Sequence, residues 1–140
     1  MKDDRLRFSL EDEYAKSLGR ALFVFSALEW NAAHCCEKIS PGYLNNLKKK
    51  TAGIIADDLI NLVATMRPQV WTSHEGTCRQ FKTLVELRNR IMHGKAGTAP
   101  NGDQRLIDKG TVMDAAFVDD AADQFAACST LVRDKMYDQL

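Results

Sequence analysis

The stretch Arg88-Asn89-Arg90-Ile91-Met92-His93-Gly94 holds the residue types best suited to chemistry in this chain. A guanidinium is a permanent planar cation that grips two anionic oxygens at once, and an imidazole gives and takes protons near neutral pH. Together they suit a reaction at phosphorus, in which a proton is moved while negative charge develops. Reading back along the chain, Cys78, Phe81, Val85, Arg88 and Met92 recur at steps of three, four, three and four, which is one stripe of an α-helix. Arg88 therefore falls in a buried register, where a cation requires a partner.

Glu29, one turn beyond Phe25 on a largely apolar helix, is the candidate to pair with Arg88 and fix its rotamer. Five residues turn about 140° round a helix, so Arg88 and His93 do not share a face, whereas Asn89 and His93, four apart, do. A helix crossing its symmetry mate would bring Arg88 and His93 of both copies around one anion, so the pattern favours a C2 homodimer. Asn89 would then orient the histidine or hydrogen-bond the substrate. His93 lies in a last helical turn, where the negative dipole end favours a cation, and so suits service as acid as well as base. Arg90 and Lys95 are candidates for contact with a phosphate backbone. Plainer readings stand beside these: Arg88 as a buried hydrogen-bond hub, His93 as a helix-end cap, Asn89 as polar filler, and Arg90 and Lys95 as solvated charges.

Positioning these groups requires helices. The first is expected from Ser9, as N-cap, to about Ile39, with Ser40-Pro41-Gly42 as its stop. Leu10, Tyr14, Leu18, Ala21, Phe25, Leu28, Ala32, Cys35 and Ile39 form its buried stripe. Leu22, Phe23, Val24 and Trp30 widen the apolar surface beyond that stripe, as contact with a partner subunit would explain. A short amphipathic turn over residues 41–50 ends in Lys48-Lys49-Lys50. From Thr51, the residues Ile55, Leu59, Leu62 and Met66 mark a second helix that stops before Pro68. The third is expected from Ser73 to His93, with Gly94 in the left-handed C′ position. The last begins between Asp114 and Asp119 and carries Val118, Ala121, Phe125, Cys128, Val132 and Met136 on one face. With Arg105–Ile107 extended but no credible sheet, the expected class is all-α: an antiparallel four-helix bundle with a long loop, residues 94–111, before the last helix.

At 140 residues, with 45% hydrophobic and 27% charged residues, the composition is that of one globular domain spanning residues 1–140. The longest apolar run, Ala21–Leu28, falls far short of the roughly 18–20 residues that span a bilayer. The start, Met1-Lys2-Asp3-Asp4-Arg5, is unlike a secretory signal, so a cytoplasmic location with no membrane contact is expected. Nineteen basic and nineteen acidic residues cancel, which removes any case for indiscriminate grip on long nucleic acids. Locally, residues 79–95 hold Arg79, Lys82, Arg88, Arg90 and Lys95 against Glu86 alone, while residues 114–140 hold six aspartates against Arg133 and Lys135. Cys35, Cys36, Cys78 and Cys128 form no CxxC pair and read as reduced core residues. His34-Cys35-Cys36 point about 100° apart on a helix and do not converge on a metal. Trp30 and Trp71 read as core or dimer contacts rather than base-stacking platforms.

Arg88, Asn89 and His93, ending the third helix of an all-α domain, resemble the signature of the HEPN superfamily: arginine, a polar residue, and histidine after a short gap. Leu28-Glu29 on the long first helix, Thr51-Ala52-Gly53-Ile54 opening the second, and a final amphipathic helix extend the likeness. The resemblance implies a metal-independent endoribonuclease with no cofactor, acting on RNA as a homodimer whose site both protomers complete. It implies in particular a toxin or phage-defence (abortive-infection) effector, with an antitoxin or defence-complex protein as partner. Relatives that have lost catalysis bind nucleotides or proteins, and a scaffold subunit of that kind is the alternative. A third reading is a subunit of a larger defence assembly whose apolar first helix docks a different protein. One HEPN subgroup carries a tyrosine two residues after the histidine, a target for modification by its antitoxin; here that position is Lys95.

Overall fold

The computed structural model describes residues 10–140. Helix α1 (Asp12–Ile39) opens with the acids Asp12 and Glu13 in its first turn, beside the positive end of the helix dipole. Glu11 is its N-cap and makes no side-chain capping bond; the expected cap, Ser9, lies outside the described residues. Tyr14, Ala21, Phe25, Leu28, Ala32 and Cys35 of the expected stripe are buried. Of the extra apolar residues, Val24 packs against the core, while the other three are left uncovered among the described residues. Phe23 is 75% exposed and Trp30 52%, and Leu22 is exposed as well.

After Gly42, whose φ of +96° suits a residue without Cβ, a 3-10 turn (Tyr43–Lys49) leads into α2 (Ala52–Ala64). Thr51 caps α2, its Oγ1 accepting from the Ile54 N–H at 3.3 Å. Helix α3 (Pro68–His93) begins five residues before the expected Ser73. Pro68 occupies the first helical position, where its fixed φ is helical and its missing N–H costs nothing, so the proline starts a helix as well as ending the preceding one. Gly94 is not left-handed; its φ of −60° and ψ of 146° carry the chain straight into a strand.

The expected long loop is a three-stranded antiparallel sheet, β1 (Lys95–Thr98), β2 (Gln104–Asp108) and β3 (Thr111–Met113), in that order. Lys95 pairs with Ile107, and Leu106 with Met113. Between β2 and β3 lie only Lys109 (φ +49°) and Gly110 (φ +83°), a two-residue turn with both central residues left-handed, which matches strand twist. The fold is thus mostly helical with a small sheet, not purely α. The sheet is tied to α1 by Tyr14, whose hydroxyl donates to the Met113 carbonyl at 2.6 Å and accepts from the Leu106 N–H at 3.1 Å. It also abuts Gly94, where a Cβ would meet Met113 Cε at 2.6 Å and Leu106 Cβ at 3.1 Å.

Helix α4 (Ala115–Thr130) is capped by Asp114, which accepts from the Phe117 N–H at 2.8 Å. It continues through a wide π turn (Leu131–Met136) and a last α turn (Tyr137–Gln139). All six residues of its expected stripe are buried. In the core, α1 packs on α2 and α4, and α3 packs on the same two helices. Phe25 sits at the centre, stacked on Phe81 at 6.3 Å and edge-on to Phe125 at 5.1 Å.

Candidate functional site

The last turns of α3 carry Arg88, Asn89 and His93 to the wall of a cleft of about 540 Å³. Glu29 from α1 and the segment Lys50-Thr51-Ala52-Gly53, at the start of α2, complete it. Three helices therefore converge on the residues singled out from the sequence. Arg88 is half-buried and His93 is exposed to solvent, an arrangement in which the cation is held and the acid–base group is open to a ligand.

The expected Arg88–Glu29 ion pair is not formed: among the described residues no carboxylate lies within ion-pair distance of Arg88. The guanidinium instead lies over the Phe25 ring, 4.8 Å from its centroid, so an aromatic face supplies the partner that the buried register demanded. Its Nε is buried with no hydrogen-bond partner among the described residues. Leaving such a donor unmet costs about 1–3 kcal/mol, a cost relieved by any acceptor that enters and engages it. Met92, expected in the buried stripe, is 51% exposed, and Ile91 is buried in its place. The sheet that packs on α3 at this end covers a face that the helical reading left open.

Asn89 and His93 also border a second cleft, of about 550 Å³, on their other side. Glu86, Arg90, Asp108, Lys109 and Thr111 line the rest of it. Arg90 belongs to this side only: its Nε donates to Asp108 at 2.8 Å and its guanidinium lies 5.6 Å from the Phe117 ring centroid. Lys95 starts β1, is exposed, and lines neither cleft. The basic tract is largely neutralised, because Arg79 pairs with Glu75 at 2.9 Å, Lys82 with Asp57 at 2.8 Å, and Arg90 with Asp108. In the first cleft Lys50 is likewise paired, with Asp58, and Arg88 is the cation with no carboxylate partner among the described residues.

Lys50 was not singled out from the sequence as a site residue. The signal was its place just before the capping threonine of α2, at the end of a lysine run. Its ammonium is held by Asp58 at 2.9 Å and lies over the Tyr43 ring at 4.8 Å, while the Tyr43 hydroxyl donates to the same carboxylate at 2.7 Å. Burial alone would push the Asp58 carboxyl up, but the hydrogen bonds from Tyr43 and Lys50 outweigh it and hold the acid below its ordinary value. Asp58 thus stays ionised and keeps the ammonium in place.

All four cysteines are buried thiols. Burial pushes Cys35, Cys36 and Cys78 up to about 12 and Cys128 to about 11, which leaves them inert as nucleophiles. No protein-family model, curated protein or solved structure compared with the chain matches it.

Proposed function

We propose that this chain is a metal-independent endoribonuclease of HEPN type, acting as a homodimer in the cytoplasm as a toxin or phage-defence effector, its four long helices forming an antiparallel bundle in one domain. The observation that carries the reading is the shared cleft of Arg88, Asn89 and His93, with a buried Arg88 donor lacking an acceptor. A phosphate oxygen is an acceptor of the right charge and shape. In the reaction, His93 removes the proton from a ribose 2′-hydroxyl, whose oxygen attacks the adjacent phosphorus. The bond to the 5′-oxygen breaks, that oxygen takes up a proton, and the upstream fragment ends in a 2′,3′-cyclic phosphate. Arg88 stabilises the charge gathered on the phosphoryl oxygens, and Asn89 orients imidazole or substrate.

A dimer brings the Arg88 and His93 of both copies around one phosphate, so that a guanidinium and an imidazole can act on it from different chains. Its support is the exposed apolar surface near the cleft: Trp30, Ile54 and Met92 are exposed and directly adjoin the cleft residues Glu29, Gly53 and His93 in the chain. An antitoxin or defence-complex protein covering the same surface would silence the site. A second reading, a non-catalytic nucleotide- or protein-binding module, draws on the Arg88–Phe25 contact, since that stacking serves the core whether or not a ligand is present. Incubating wild type, Arg88→Ala and His93→Ala with structured RNA in EDTA separates the two. Fragments from wild type alone are expected; intact RNA in every lane favours the binding module.

A further inference from the structure

Asn89 and His93 stand between two clefts, and an RNA strand that rests one phosphodiester at His93 carries a neighbouring phosphate on each side. The first cleft supplies Arg88. In the second, of about 550 Å³, the cations are Arg90 and Lys109 and the carboxylates are Glu86 and Asp108. Arg90 is occupied by Asp108 at 2.8 Å, whereas Lys109 has no carboxylate within ion-pair distance among the described residues. Glu86 is likewise unpaired there, an acceptor suited to ribose hydroxyls or base amino groups rather than to phosphate. The backbone gives a second, independent sign. Lys109 is the first central residue of the β2–β3 turn and, among the described residues, the one non-glycine with positive φ, +49°. A Cβ there crowds the following carbonyl oxygen, and such turns favour glycine, asparagine or aspartate. The lysine side chain is exposed and meets no aromatic face among the described residues, so no contact within the chain offsets the strain. Strain of this kind clusters where a ligand is held. The turn is also anchored: Asp108, next to Lys109, accepts from Arg90, one turn before His93 on α3. That pair holds the turn against the helix end that carries His93.

We propose that Lys109 holds the RNA phosphate next along the strand from the one at Arg88 and His93, with the second cleft taking the intervening nucleotide. The identity of the ligand rests on the ribonuclease reading, but the chemistry is binding and does not require cleavage. Lys109 is a binding and positioning residue here, fixing which phosphodiester comes to rest at His93, and the Arg90–Asp108 pair in turn positions Lys109.

The test uses the full chain and a 2′-O-methyl octaribonucleotide, which has no free 2′-hydroxyl to attack and so reports binding alone. Affinity is measured over a range of salt concentrations for wild type, Lys109→Asn, Lys109→Arg and Lys135→Gln. Lys109→Asn removes the charge and gives the turn a residue suited to the left-handed region. It is expected to raise Tm by about 3 °C, as relief of that strain in a chain of this size would. It is also expected to weaken binding about fivefold, the upper end for one exposed ion pair, and to reduce the salt slope by about 0.7, the share of one phosphate on a single strand. Weaker binding by a more stable chain excludes misfolding as the cause. Lys109→Arg keeps the charge and is expected to bind as wild type does. Lys135→Gln removes an exposed charge that lines neither cleft and is expected to change neither affinity nor slope. Affinity and slope equal to wild type in Lys109→Asn, an equal loss in Lys135→Gln, or no binding by wild type overturns the subsite. A lower Tm in Lys109→Asn does so too, since the strain would then be absent. The ribonuclease reading fails separately: RNA left uncut by a wild type whose octamer binding depends on Lys109 removes the catalysis and keeps the subsite. Active cleavage with octamer binding indifferent to Lys109→Asn does the reverse.

Discussion

Arg88 illustrates what a single residue can and cannot disclose. Its place in an apolar stripe announced a cation in need of a partner, and the structure supplies one, but as the face of Phe25 rather than the carboxylate of Glu29. Spacing along one helix does not reveal which neighbour on another helix faces it, and Phe25 and Glu29 are one turn apart on α1. Asn89, His93 and Glu29 line the same cleft as Arg88, Glu29 without the ion pair expected of it, whereas Lys50 reaches that cleft through tertiary packing. If the guanidinium acts through both its planar fork and its stacking, a lysine cannot replace it. Arg88→Lys is therefore expected to lower single-turnover RNA cleavage by about 10²–10³-fold, in the range for loss of one preorganised donor at a developing charge. Near wild-type cleavage by Arg88→Lys would show that charge alone suffices.

Among the elements, the helices were readable because each carries a long apolar stripe, and α4 buries every residue its period nominated. The sheet was not, because strands of three to five residues with mixed polarity give no sustained alternation. Local turn chemistry was available in Asn101-Gly102, between β1 and β2, and more weakly in Lys109-Gly110, between β2 and β3. The sheet fastens the exit of α3, and Gly94 is where it comes closest. Gly94→Ala is expected to cost about 1 kcal/mol, the low end for overpacking, because Met113 Cε is the far end of a flexible side chain and Leu106 Cβ at 3.1 Å needs to shift only slightly, read as a lower urea midpoint. An unchanged midpoint would mean that the sheet yields without consequence. Tyr14→Phe removes both hydrogen bonds that join α1 to the sheet and is expected to cost about 1–3 kcal/mol, because the Met113 carbonyl and Leu106 N–H are left unpaired.

For the molecule as a whole, the described surface leaves Leu22, Phe23 and Trp30 of α1 exposed, and sedimentation at micromolar concentration is expected to show a dimer. Mixing inactive Arg88→Ala and His93→Ala chains is expected to restore part of the RNA cleavage, because one hybrid site retains both groups; no restoration would place the whole site within one chain. The buried thiols give the fold a pH signature. Their folded values lie above the ordinary 9.0, so the neutral forms favour the fold, stability is complete below about pH 9, and it falls as pH climbs towards 12. Urea midpoints at about pH 8 and about pH 10.5 should differ in that sense; equal midpoints would contradict such burial.

The most direct test of the ribonuclease account is the chemistry of the cut ends. Mass spectrometry of RNA treated with wild type in EDTA should find new 3′ ends as 2′,3′-cyclic phosphates paired with 5′-hydroxyls, and none after treatment with His93→Ala. Ends carrying 5′-phosphates, or equal yields from the His93→Ala chain, would contradict it.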